Sequence, residues 1–246
     1  MTTTKPDYPE QLMLPGQAAA PGGPVDMNVM YLMHHAFRRD LDRFSTAVPR
    51  TPLDDQATWV ALAERWGRFS EILHHHHSGE DAGIWPFLLD RAHPAERQTL
   101  LDMEAEHGKI DPLLECSGAA FAELATPGGG ADGRSREELR AALAVRLAEA
   151  KEVLGAHLRH EESEAMVILQ RHMTVEDWER IEAEHFKSKD SLGSLLYVVP
   201  WIAEDLPEQV LAELLDDAGT PMKVVNWLGA RLRFRGLERK AFRYVA

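Results

Sequence analysis

Two copies of one pattern, His-x-x-x-Glu, constrain this chain more than any other feature: His76 to Glu80 and His157 to Glu161. Four residues is about one turn of α-helix, a rise of roughly 6 Å, so each imidazole shares a helix face with its carboxylate. Both pairs sit inside apolar stripes. Leu62, Trp66, Phe69, Leu73, His76, Glu80, Ile84 and Phe87 step by fours and threes. So do Leu139, Leu143, Ala150, Leu154, His157, Glu161 and Ile168, with one weaker turn. An ionisable pair on a core face is costly to bury unless something compensates it, and a metal ion is the strongest such partner.

Two more histidines fall in the same phase. His34 lies in the stripe Met30, His34, Phe37, Leu41 and Phe44; His107 lies in Leu100, Met103, His107, Ile110, Leu114 and Phe121. Four amphipathic segments thus each aim an imidazole inward. A lone core histidine is usually a packing residue, and one His-x-x-x-Glu is usually a surface pair. Four in-phase helices together favour a metal site, because di-metal carboxylate bundles are built from inward His and Glu on facing helices. Imidazole with carboxylate suits iron, manganese or zinc over copper(I).

The punctuation predicts an all-α chain with an antiparallel four-helix bundle and an additional C-terminal helical subdomain. Residues 1–25, rich in Pro and Gly, read as a flexible N-terminal arm. Residues 26–173 carry the bundle. Its first helix runs from near Asp26 to about Val48, ended by Pro49 and Pro52, and its second from an Asp54 or Asp55 cap to near Leu89. The third starts at about Pro94 with a kink at Pro112, and the fourth runs from about Ser135 to His172 after the loop at 125–135. Residues 174–246 form a C-terminal helical extension, opened by a capping box of Thr174 and Asp177.

A formal charge of −13 argues against nucleic-acid binding. One cysteine, Cys116, excludes an internal disulfide framework. No apolar run is long enough to span a bilayer and no export signal opens the chain, so the expected compartment is the cytoplasm. The last sixteen residues set Arg231, Arg233, Arg235, Arg239, Lys240 and Arg243 against Glu238 alone. Such a tail fits an acidic partner or a membrane surface, though pairing with the protein's own acidic surface is favoured.

These motifs resemble the hemerythrin-like (HHE cation-binding) domains. "HHAFRRDL" (34–41) is similar to the first-helix signature and "HHSGEDAGIWPFL" (76–88) to the second; "EAEHGKIDPLL" (104–114) and "HLRHEESEAMVIL" (157–169) resemble the third and fourth. The likeness covers about residues 26–173, and the order and spacing of the motifs carry it. It implies two iron ions bridged by Glu80, Glu161 and a solvent-derived oxo or hydroxo group, with manganese or zinc as alternatives. His34, His76, His107 and His157 would be terminal ligands. Oxygen carriers of this family hold a fifth histidine one turn from the third-helix ligand. Here those positions are Met103 and Asp111, which argues against reversible oxygen carriage. His77 is the candidate extra ligand and Asp111 the alternative. His35, His74, His75 and His160 fall off the ligand phase, and His185, in a second "EAEH" string, is not assigned to metal.

The resemblance implies a protein that binds or senses iron, dioxygen, peroxide or nitric oxide. The alternative is a di-iron enzyme that reduces peroxide or nitric oxide or oxidises a small substrate. A third, structural reading has the metal mainly holding the bundle together. The extension exceeds what a carrier needs and is a candidate homodimer surface.

Overall fold

The apolar stripes become helices. A computed structural model describes residues 8–128, 133–186 and 192–245, and among them every regular element is helical, with no strand. The expected loop at 125–135 falls partly on 129–132, and the expected arm at 1–25 partly on 1–7, outside the described residues. The first long helix, α1, spans Asn28–Arg50, with Pro49 in its last turn instead of beyond it. Next come α2 (Gln56–Gly79), a π-helical turn π1 (Glu80–Ile84) and α3 (Trp85–Leu89). α4 (Arg97–Leu124) holds Pro112 in its interior; α5 (Arg136–His160), π2 (Glu161–Ala165) and α6 (Met166–His172) follow.

The caps explain these starts. Asp55 accepts from the Thr58 N–H at 3.1 Å, three residues on, and opens α2. Ser135 and Glu138 form a reciprocal pair at the start of α5. Thr174 and Asp177 make the expected capping box before α7 (Val175–Ile181). A turn π3 (Glu182–Phe186) continues it, followed by α8 (Leu192–Ala203), α9 (Glu208–Asp217), α10 (Gly219–Gly229), π4 (Ala230–Phe234) and α11 (Arg235–Ala241).

One phase differs from expectation. Phe87, placed on the buried stripe by a 3.6-residue period, is only half-buried, while Trp85 and Leu88 are buried. The π turn holds about one extra residue, so the stripe advances by one position beyond it.

Contacts divide the chain into two compact units. The first comprises Met1–His35, Leu73–Pro112 and Glu152–Ser188. In it, the segment before α1 is tied to α6: Val25 N–H donates to Gln170 Oε1 at 3.0 Å and Gln170 Nε2 returns to the Val25 carbonyl at 2.8 Å. A Cβ on Gly23 would lie 2.2 Å from that Gln170 oxygen, so glycine is needed there.

The second unit comprises Ala36–Ile72, Leu113–Lys151 and Lys189–Ala246. Phe44 and Trp66 pack edge to face at 5.0 Å, and Trp66 lies 5.2 Å from Phe121. Full burial of each such ring contributes about 1.5–3 kcal/mol. Beside them sits a buried ionic network. Asp40 accepts from Arg65 Nη2 at 2.5 Å, Arg39 Nη2 at 2.9 Å and Trp201 Nε1 at 2.7 Å. Arg65, fully buried, also donates to Glu238, which accepts from Arg43 at 3.0 Å. The extension's Trp201 and Glu238 are therefore locked to α1 and α2 within this unit. In the basic tail, Arg243 pairs with Asp55 at 3.5 Å.

Burial alone would raise the Asp40 carboxyl, but the guanidinium groups of Arg65 and Arg39 outweigh it and hold it below the usual carboxylate range. A depressed folded value means that its stabilisation is fully present above the unfolded value of about 3.9 and is lost as pH falls through the folded one. Asp40→Asn should cost up to about 3–5 kcal/mol near neutral pH, because buried Arg65 then keeps Glu238 as its one remaining charge partner among the described residues. Urea unfolding should show that deficit shrinking below about pH 4; a deficit independent of pH would contradict the charge argument.

Candidate metal centre

All seven histidine and glutamate side chains singled out as ligands are buried and belong to the first unit. α1 supplies His34; the end of α2 supplies His76 and His77, with Glu80 opening π1. α4 supplies His107; the end of α5 supplies His157, with Glu161 opening π2. Two clusters result, each with ligand atoms within 4.8 Å of one another: His77, Glu80, His107 and His157 in one, and His34, His76, Glu80 and Glu161 in the other. Glu80 belongs to both. Its Oε1 lies 3.0 Å from His76 Nε2 and its Oε2 3.4 Å from His107 Nε2. Glu161 Oε2 lies 3.3 Å from His34 Nε2 and 3.8 Å from His157 Nε2. Asp111 belongs to neither cluster.

The imidazoles crowd. His77 stacks on His107 with centroids 3.9 Å apart, His107 meets His157 edge-on at 4.6 Å, and the Nε2 atoms of His107 and His157 are 3.1 Å apart. Both ring nitrogens of His77, His34 Nε2 and both oxygens of Glu80 and of Glu161 have no hydrogen-bond partner among the described residues. So many orphaned buried donors and acceptors, converging from four helices, fit a cation and fit little else.

Sequence reading missed the residues that aim the rings. His34 Nδ1 meets Glu162 Oε1 at 3.0 Å, His107 Nδ1 meets Asp81 Oδ1 at 2.8 Å, and His157 Nδ1 meets Glu106 Oε2 at 3.0 Å. Carboxylates on the far nitrogen fix ring orientation and make the near nitrogen a better donor to metal. Each is a chain neighbour of an expected ligand: Asp81 follows Glu80, Glu106 precedes His107 and Glu162 follows Glu161. That adjacency was the available signal. Each nevertheless serves a histidine on another helix, a pairing that spacing along one helix cannot reveal. Glu162 also accepts from the Ala18 N–H at 2.8 Å, so the chain before α1 reaches the site. Glu106 additionally meets half-buried His160 at 3.0 Å.

Both expected ligand turns are π-helical, beginning at Glu80 and at Glu161. Such turns recur at functional sites because they widen the helix locally and re-aim side chains.

Electrostatics point the same way. Burial, then the nearby charges of Glu161 and Asp81, push the Glu80 carboxyl well above the usual range. Burial would raise Glu161 too, but His34 and His157 outweigh it and hold Glu161 low. Burial opposes charge on His34, yet Glu161 and Glu162 raise it to about 9. Burial, reinforced by neighbouring imidazoles, keeps His76 and His77 well below the ordinary value, hence neutral and ready to coordinate.

The family model of the hemerythrin HHE cation-binding domain matches residues 25–169. The chain belongs to that family. No curated protein and no solved structure matches it. The HHE domain is thus a cation-binding domain, and its buried His/Glu clusters are suited to holding a metal ion. Among the described residues, no helix is long and apolar enough to cross a membrane.

For a carboxyl whose folded value is raised, stability falls as pH rises from the unfolded value, about 4.3, through the folded one. Metal-free Glu80→Gln should therefore melt above metal-free wild type near neutral pH, with a flatter pH dependence. Paired thermal melts would show it, and a lower melting temperature for the variant across the range would refute the reading of Glu80.

Proposed function

We propose that this HHE domain holds two iron ions and binds or senses a small ligand such as dioxygen, peroxide or nitric oxide. One observation carries the two-metal reading: Glu80 turns one oxygen toward each of two ligand clusters. In this assignment His34, His76 and Glu161 complete one metal's set, and His77, His107 and His157 the other's, with Glu80 bridging. Glu161 would serve the second metal as well, supported by its 3.8 Å approach to His157. His77 is then the extra ligand in preference to Asp111. The mixed imidazole and carboxylate donors favour iron, with manganese and zinc as competitors.

We further infer that the long helices form an antiparallel four-helix bundle over residues 26–173, with residues 174–246 as its extension. A cytoplasmic location and a homodimer through that extension belong to the same proposal.

A ferrous pair held by these residues would supply electrons and a binding position for a diatomic or peroxide ligand. The protein's own part is to keep His76 and His77 neutral, to hold the rings through Glu162, Asp81 and Glu106, and to exclude water with the surrounding apolar stripe. A second reading, a di-iron enzyme reducing peroxide or nitric oxide, draws support from one feature. His157, Glu106 and half-buried His160 form a hydrogen-bonded chain leading away from the buried site. Such a chain suits proton delivery during turnover.

Anaerobic loading should give two ferrous ions per chain and raise the melting temperature, since ligand bound only by the native state stabilises it. His107→Ala should bind fewer ions, whereas His74→Ala, an exposed neighbour on α2, should match wild type. Glu162→Gln should weaken binding by about 10–100-fold. Equal metal content in the His107 and His74 variants would refute the ligand assignment, and multiple turnovers of peroxide would favour the enzyme.

A further inference from the structure

The family match ends at residue 169, yet the chain that follows returns to the site. π3, with Ile181 at the end of α7, lies against π1 within the same unit. The approach is close because Gly79 and Gly83, which flank Glu80, carry no side chain. A Cβ on Gly79 would sit 2.7 Å from the Phe186 ring, and one on Gly83 would sit 2.7 Å from the His185 ring and 2.9 Å from Ile181. Ile181 is buried in this contact region. The Phe186 carbonyl also lies 3.1 Å from His75 Nε2, one residue before His76. At the other end, the Thr174 capping box fixes where α7 begins, and Trp178 packs against Phe186 at 6.1 Å.

Gly79 and Gly83 are four apart, on the face of the second helical run where the α-helix widens into its π turn. Two glycines so near one bend are poor helix formers. Unsupported, they would let π1 relax and move Glu80. The contact with Ile181, His185 and Phe186 supplies the missing support.

We propose that residues 175–186 are a positioning element of the metal site: docked on Gly79 and Gly83, they hold the π turn that sets Glu80 between its two ligand clusters. This rests on the two-metal reading above. Phe186, His185 and Ile181 touch no ligand atom in this role and act through Glu80. The extension then has a definite duty, to keep the bridging carboxylate in place.

The test uses the full chain and ferrous iron. Phe186→Ala removes the main contact, and the double variant Gly79→Ala/Gly83→Ala pushes the element away by adding the two Cβ atoms. With helical circular dichroism retained, both should bind the second ferrous ion about 10–100-fold more weakly than wild type in chelator competition, the scale for residues that orient ligands. Phe186→Leu should restore most of the loss. Wild-type affinity for both ions in a folded Phe186→Ala protein would overturn the inference while leaving the two-metal reading intact. Fewer than two ions in wild type would overturn both. Should the double variant fail to fold, the Phe186 pair still decides the matter.

Discussion

The structure turns on the burial of five imidazoles and two carboxylates in one small volume. Taking such groups out of water costs several kcal/mol per charge unless something compensates them. Here the compensation is divided. Outer carboxylates on Asp81, Glu106 and Glu162 serve the far nitrogens of three histidines. The inward atoms of Glu80, Glu161 and His77 make no hydrogen bond among the described residues and face one another and neighbouring imidazoles across the centre. An arrangement that satisfies its periphery and leaves its centre open is built around a cation, and the family membership agrees.

The same chemistry explains why the site draws on chain outside the four motif-bearing segments. Glu162 is buried and takes its second hydrogen bond from Ala18, ahead of the family match. π1 is braced by residues beyond that match. A buried carboxylate and a widened helix turn are both unfavourable in isolation, and each is stabilised by a neighbour the motif segments do not contain.

The second unit solves a parallel problem with side-chain ion pairs. Arg65 is as buried as the clustered histidines, and Asp40 and Glu238 neutralise it. Burial and the Asp40 charge raise Glu238 although Arg65 and Arg43 pull it down, whereas Asp40, with two guanidinium groups and Trp201, stays low. The network ties residues far apart in the chain, and this gives the otherwise basic C-terminal stretch a defined seat. Glu238, the lone acid of that stretch in the sequence, proves to be its anchor.

Much of this is legible in the sequence. A 3.6-residue period in apolar residues is a local property, so the helices, most of their buried faces and the capping box at Thr174 follow from neighbouring residues alone, while the choice of Asp55 over Asp54 came from the structure. The phase of His34, His76, His107, His157, Glu80 and Glu161 within those stripes marked them for the same reason, and the structure brings them together with His77. What the sequence could not decide involves partners distant in the chain or a break in the period. The π turn at Glu80 moves the buried position by one residue, from Phe87 to Leu88, because it adds a residue that no regular period anticipates. The pairing of Glu162 with His34, of Glu106 with His157 and of Arg65 with Glu238 was decided only by tertiary structure, since each joins charges on different helices whose approach depends on how those helices pack.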